Sequence, residues 1–273
     1  MTGKTFDLKK TVREAAKLLP ERYNEFDSVI EKGGKQNIVT HYDKEVQTFL
    51  VSRLKEYFPN ASFLGEEGLH SGGDEADVMF VIDPIDGTTN FVQDCKFSCI
   101  SVAMLHEGVT VEAAVYNPYL DEMFYAKKGG GAWLNDEQIH IEDKPLGESI
   151  IGFSNCPYDE GLTDISFELG KRVFSRCLDF RRMGSAALEI CYSACGRYQL
   201  YCEMILYPWD YAAADLVVEE AGGTITDLEG MPPEFDRRYP IVAGCPTAAR
   251  EVVEIYKELT DGKTIDNVNT KLF

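Results

Sequence analysis

The chain is expected to fold as a layered α+β sandwich. Three observations carry that expectation. Segments of helical period and segments of strand composition come in blocks, without the strict strand–helix–strand alternation of a nucleotide-binding parallel sheet. A run of short strands separated by turn residues follows residue 98, as in an antiparallel meander. With 273 residues, 44% hydrophobic and 27% charged, the chain can bury one large core or two intimate ones. No internal repeat or low-complexity tract interrupts it. We therefore expect a single unit over residues 1–273, divisible into two close sub-domains at about 1–145 and 146–273.

The elements follow in order. Leu8, Val12, Ala15, Ala16 and Leu19 recur at helical spacing up to Pro20. EKGGKQNIVTHYD (31–43) is Gly-rich and charged, a loop with a short extended piece. Val46, Phe49, Leu50, Leu54 and Tyr57 mark a second amphipathic helix, stopped near Pro59. VMFVIDPIDGTTNF (78–91) is a buried strand that ends in two carboxylates and a small hydroxyl-rich turn. CISVAML, VTVEAAVY, DEMFYA and GAWL then form the meander, broken at EG, NPYL and KKGG.

In the second half, MGSAALEICYSACG (183–196) reads as a helix entered through Gly184 and Ser185, with Leu188, Cys191 and Cys195 on one face. YQLYCEM is a strand. WDYAAADLVVEEAGG (209–223) is a helix opening at Asp210 and closed by Gly222 and Gly223. IVAGC is a strand, and Ala249, Val252, Val253, Tyr256 and Leu259 mark a last helix. The polar tail from 260 to 273 offers little to bury.

Charge narrows the function. A net charge of -19 repels nucleic acid and anionic membranes, so neither is expected as a partner. An acidic protein working on an anionic substrate needs cations to offset its field, which points to bound metal. No stretch reaches the ~18 apolar residues of a membrane span. MTGKTFDLKK lacks an apolar signal core, and the eight cysteines form no CxxC pair. Reduced thiols and a cytoplasmic location are the expectation. Cys95/Cys99 and Cys191/Cys195 are spaced CxxxC, but no histidine or further pair completes a zinc site.

Asp83 and Asp86 lie at the end of the apolar strand. Buried carboxylates repel and lose hydration unless cations compensate, and Mg²⁺ prefers such oxygen ligands. Gly87-Thr88-Thr89 can offer backbone N–H groups to phosphate, as helix starts and nests do. On spacing alone, solvated or capping aspartates explain a DxxD pair better. Asp43 and Asp210 are each explained singly as caps, and Glu203 as a solvated strand-end charge. With Glu66 and Glu67 of GEE added, coincidence is a poor account.

GEE (65–67), DPIDGTTNF (83–91), GSAA (184–187) and WDYAAADLVVEEAGG (209–223), with weaker support from NIVTHYD (37–43), resemble the inositol monophosphatase family. These are metal-dependent, lithium-sensitive sugar phosphatases, and the likeness spans roughly residues 8 to 260. It implies an αβαβα sandwich of the sugar-phosphatase type. It implies two Mg²⁺ ions, with room for a third near Glu66. One ion would be held by Glu66, Asp83 and the Ile85 carbonyl, the other by Asp83, Asp86 and Asp210. A metal-activated water, oriented by Glu66 and by a Thr88 hydroxyl paired with Asp43, would attack phosphorus directly. Gly87 and Thr88 would hold the phosphate. Asp86, Gly184, Ser185, Ala186, Glu203 and Asp210 would face the small phosphorylated polyol or sugar, with Glu67 behind the ligands. Lys35 matches a mobile active-site flap, although a loop lysine is usually only solvated.

The resemblance further implies a homodimer. It leads to hydrolysis of inositol monophosphate, with fructose 1,6-bisphosphate, histidinol phosphate and 3′,5′-bisphosphate nucleotides as alternative substrates. Residues around 154–186, expected to read the leaving group, carry no signal for one substrate. A non-catalytic regulatory protein of the same fold is a third reading. Gln93 stands where the family often has histidine, and Ala213 and Asp215 stand at positions often held by small residues. Asp215 is expected to face away from the site.

Overall fold

The computed structural model describes residues 5–23, 30–31, 38–71, 76–155 and 159–261; Lys35, Cys156 and the chain beyond 261 lie outside them. In chain order the elements are α1 (Leu8–Ala16), β1 (Ile30–Glu31), β2 (Ile38–Val39), α2 (His41–Lys55), β3 (Ser62–Gly65), β4 (Leu69–Ser71), β5 (Val78–Asp86) and α3 (Thr88–Val92). The meander follows as β6 (Cys99–His106), β7 (Val109–Asn117), β8 (Glu122–Lys127), β9 (Ala132–Leu134) and β10 (Glu137–Ile139). After a 3-10 turn at Leu146–Glu148 come β11 (Ile150–Ser154), α4 (Glu160–Phe174), β12 (Asp179–Arg181), α5 (Ala186–Ala194) and β13 (Leu200–Leu206). Last are α6 (Pro208–Glu220), β14 (Thr224–Thr226), β15 (Tyr239–Gly244) and α7 (Pro246–Leu259).

Five layers result. The larger sheet has the order β10-β9-β8-β7-β6-β5-β3-β4, and the smaller one β12-β11-β13-β15-β14. Alternation along β5 sends Phe80 and Ile82 to one face, against Leu8, Val12, Leu50 and Leu54 of α1 and α2. Val81 goes to the other face, into a core shared with α5 and α6 and with Tyr201, Ile241 and Ala243 of the smaller sheet. The far side of that sheet packs Phe153, Leu200 and Met204 against Leu169 of α4 and Val252 of α7. The order α1/α2, sheet, α5/α6, sheet, α4/α7 is the expected αβαβα sandwich.

Local differences have physical causes. α1 stops at Ala16. Leu18 and Leu19 donate to carbonyls three residues back, in a tighter turn that leads into Pro20. α5, expected to carry Leu188 and Cys191 on one face, is buried on every side, because a sheet covers each of its faces; Cys195 lies just past its end. α6 starts at Pro208, two residues before Asp210, using proline at its first position where no amide donor is needed. α4 and β12 lie within residues 154–186, and β11 ends at its start.

One irregularity positions the site. Asp83 pairs with Ser101 of β6, and Asp86 pairs with Cys99, so β5 carries one residue more than its partner between these pairs. In a regular strand, side chains three apart point to opposite faces. A one-residue bulge at Pro84, which has no N–H to give the ladder, returns Asp86 to the side of Asp83. A second bulge lies between Glu203 and Leu206 of β13.

Candidate metal centre

Asp83 is 2% exposed. Its Oδ1 accepts from Ile85 N at 3.0 Å. Burial, then the carboxylates of Glu66, Asp86, Asp210 and Asp43, push its pKa well above the usual range. Five acidic groups drawn from β3–β4, β5, α2 and α6 therefore converge on one point. Burying charges of one sign is costly unless something of opposite sign joins them.

Asp86 is the most densely bonded of the set. Its Oδ2 accepts from Ser185 Oγ at 2.6 Å, from Ala187 N at 2.7 Å and from Cys99 Sγ at 3.7 Å; its Oδ1 accepts from Ala186 N at 3.3 Å. Burial raises its pKa, and these donors oppose the rise without cancelling it. The amides of Ala186 and Ala187 are in the first turn of α5, where no intrahelical acceptor exists. Ser185 and Ala186, expected beside the substrate, thus turn their donors onto Asp86.

Asp210 is the third residue of α6. Its Oδ2 accepts from Tyr207 N at 2.7 Å, and burial, Asp86 and Glu66 push its pKa well up. Asp43 is the third residue of α2, and its Oδ2 accepts from Thr40 N at 2.8 Å and Thr40 Oγ1 at 2.7 Å. Each caps its helix and reaches the cluster, so the capping and site readings hold together. Oxygens of Asp43, Glu66 and Glu67 lie within 4.8 Å of one another, a grouping that could hold a metal ion. Glu67, expected behind the ligand residues, thus stands in one grouping with Asp43 and Glu66. Gln47, whose Oε1 accepts from Glu67 N at 3.4 Å, fastens the turn.

The Thr88 hydroxyl does not pair with Asp43 as expected. It donates to the carbonyl of Ile85 at 3.0 Å, because α3 folds back over the end of β5. Gly87 begins that turn with φ +85, and a Cβ there would lie 3.1 Å from the carbonyl oxygens of Gly184 and Phe97. Only glycine combines this conformation with this approach. The N–H groups at the start of α3 have no acceptor within the helix, so the turn suits an anion.

Glu203 sits within β13, half-buried, and is not the solvated strand-end charge of the bland alternative. Tyr201 Oη donates to its Oε2. Burial raises its pKa to about 8, helped by Glu189 and Asp86. It is close enough to Asp86 and Asp210 for their charges to act on one another. Asp215 does face away. Its pKa is pushed up to about 7 by burial and by Glu219, with Lys128 acting in the other direction. The seven described cysteines are free thiols. No helix among the described residues is long and apolar enough to cross a membrane.

Three residues in or beside the site escaped the sequence reading: Tyr201, Asn90 and Glu189. Asn90 Nδ2 donates to the carbonyls of Met183 at 2.6 Å and Phe97 at 2.8 Å. Glu189 is fully buried, with its pKa raised to about 7 chiefly by burial. A single carboxylate inside the otherwise apolar AALEIC was the available signal.

A buried carboxylate pushed up by four acidic neighbours, next to an anion-accepting turn, fits hard divalent cations, which take oxygen ligands and bring phosphate with them. The comparisons agree. A model of the inositol monophosphatase family matches residues 5–261. An inositol monophosphatase of Dictyostelium discoideum is 36% identical over 255 residues, covering 90% of this chain and 92% of its own. The Nus factor SuhB of Vibrio cholerae is 36% identical over 227 residues, covering 82% and 84%. The solved structure of an IMPase from Thermotoga maritima superposes with a TM-score of 0.83 at 31% identity, covering 93% of this chain and 96% of that one. By sequence, by fold and by the convergence of its acidic residues, this chain belongs to the inositol monophosphatase family.

Proposed function

We propose that the protein is a divalent-metal-dependent phosphatase of a small polyol phosphate, with inositol monophosphate as the leading substrate. The observation that carries this reading is Asp83, buried at the end of β5 among Glu66, Asp86, Asp210 and Asp43. Glu66, Asp83, Asp86, Asp210 and the Ile85 carbonyl would hold Mg²⁺. Bound there, the ions supply positive charge against the phosphoryl oxygens and acidify a water, much of what so slow a hydrolysis needs.

The chain's own groups do the rest. The Gly87–Thr88 turn presents N–H groups to the phosphate. The Thr88 hydroxyl, donating to Ile85 O, holds that carbonyl and the turn in one geometry. Glu66, with Asp43 beside it, is placed to accept a proton from the attacking water. Glu203, fixed by Tyr201, accepts hydrogen bonds from the substrate's hydroxyls and orients the leaving group. An ionised carboxylate, the form that nearby bound cations would favour, suits paired hydroxyls because it offers only acceptor sites.

Phosphate release tests this directly. Inositol 1-phosphate, fructose 1,6-bisphosphate, histidinol phosphate and adenosine 3′,5′-bisphosphate are assayed with Mg²⁺ and with EDTA. Turnover is expected on inositol 1-phosphate first, is lost in EDTA and is inhibited by Li⁺. Undiminished release in EDTA refutes the mechanism. The relatives named as Nus factors favour one other reading, a non-catalytic role; absence of release from the whole panel with Mg²⁺ present supports it.

A further inference from the structure

We infer that Glu189 is a positioning residue: it holds the 183–187 turn so that three donors converge on Asp86. The inference rests on the metal-site reading above and adds a residue outside the ligand set. Glu189 Oε2 reaches back along the chain and accepts from Met183 N at 3.1 Å and from Gly184 N at 2.9 Å. Asn90 holds the same turn from the opposite side, through Met183 O. Gly184, whose own N–H is one of the anchored groups, has φ +84, a conformation that suits glycine. The residues that follow are Ser185, Ala186 and Ala187, whose hydroxyl and two amides meet the Asp86 carboxylate.

The chemistry of Glu189 argues that stability alone does not explain it. Its Oε1 is buried without a hydrogen-bond partner. An acceptor left unmade in a core costs free energy, which sets a cost against the two bonds that Glu189 makes to the turn. Side chains retained at such a cost concentrate at functional sites. The benefit lies at Asp86, one of the carboxylates gathered around Asp83. Without Glu189, the N–H groups of Met183 and Gly184 lose their acceptor and the turn can shift. A carboxylate whose donors have moved no longer presents the same oxygens to a cation.

The test uses the full chain and three variants. Glu189→Leu removes the acceptor at similar volume. Glu189→Asp keeps the charge but withdraws it by one methylene, and serves if the leucine variant does not fold. Glu189→Gln keeps one carbonyl acceptor. Hydrogen exchange followed by mass spectrometry over 184–188 is compared with exchange over 191–195. Mg²⁺ binding to the EDTA-treated protein is measured by calorimetry. In Glu189→Leu, exchange over 184–188 should quicken at least about tenfold while 191–195 is unchanged, and Mg²⁺ affinity should fall about 10–100-fold, as for partners of metal ligands. Glu189→Gln should recover most of both. Wild-type exchange over 184–188 in Glu189→Leu overturns the inference, and so does Mg²⁺ affinity within about twofold of wild type. If the wild type takes up no Mg²⁺, the metal reading fails by itself, and the exchange rates still decide the role of Glu189.

Discussion

Replacing Asp83 by asparagine should stabilise the metal-free protein and destabilise the metal-loaded one. Asparagine has the same shape, and its Oδ1 can keep the bond from Ile85 N. What changes is one negative charge among Glu66, Asp86, Asp210 and Asp43. A like-charge neighbour about 5 Å away costs about 3 kcal/mol at an effective dielectric of about 20. Relaxation and proton uptake reduce this, so a net gain of about 1 kcal/mol is expected in EDTA, a Tm rise of about 2–4 °C. Mg²⁺ at about 100 times its Kd should stabilise the wild type by about 2.7 kcal/mol, or about 5–10 °C. The variant should lose most of that increment together with turnover.

Thermal unfolding followed by circular dichroism, with EDTA and with Mg²⁺, reads the crossover. Acid supplies a second check. Asp83 has a raised folded pKa, so the folded state keeps a proton that the unfolded chain has released. Its stability is greatest at low pH and declines as pH rises, so the advantage of the variant in EDTA should shrink on acidification. A variant less stable than wild type in EDTA, or one with the full Mg²⁺ increment, refutes the reasoning.

Two other outcomes follow from the same structure. Glu203→Gln should raise KM or lower kcat about 10-fold or more for polyol phosphates, since it weakens an acceptor for substrate hydroxyls; unchanged steady-state kinetics removes Glu203 from the site. Asp215→Asn tests burial away from the site: its carboxyl is raised from 3.8 to about 7, so stability falls as pH climbs through that window. The full shift would carry about 4 kcal/mol, and its partial exposure reduces this to about 1–2. The variant should therefore melt above wild type at pH 8 and level with it near pH 4; a constant difference across that range contradicts the assignment.

Much of the fold was legible because its signals are local. The meander from Cys99 to Leu134 is marked by turns, and β5 by its apolar run, so both emerge from period and punctuation. The five-layer stacking is not local, and it came from the likeness of motifs to a known family. The burial of α5 on every side was not legible for the same reason: a nine-residue helix covered by sheets on both sides has no polar face for periodicity to detect. At the site, the identities of Asp83, Asp86 and Asp210 were readable, but their bonding was not. The Thr88 hydroxyl turns to Ile85 because of how α3 folds back, and Ser185 and Ala186 turn to Asp86 because a bulge points that carboxylate at α5. Glu189 lies a hundred residues from the aspartate it serves, and only the folded chain relates them.

The convergence of acidic groups raises a stability question that the helices answer. Three of the carboxylates accept backbone N–H groups at helix starts: Asp43 at α2 through Thr40, Asp86 at α5 through Ala186 and Ala187, and Asp210 at α6 through Tyr207. Each helix start carries about half a positive charge, worth about 0.3–1 kcal/mol to a nearby anion and up to about 2 where partly buried. Three such ends offset part of the repulsion. They cannot offset all of it, since Asp83 has no helix start of its own and remains the carboxylate pressed by all the others. The fold thus fixes three of the five acidic arms with its own dipoles and leaves Asp83, which the other four all press upon, in want of a countercharge.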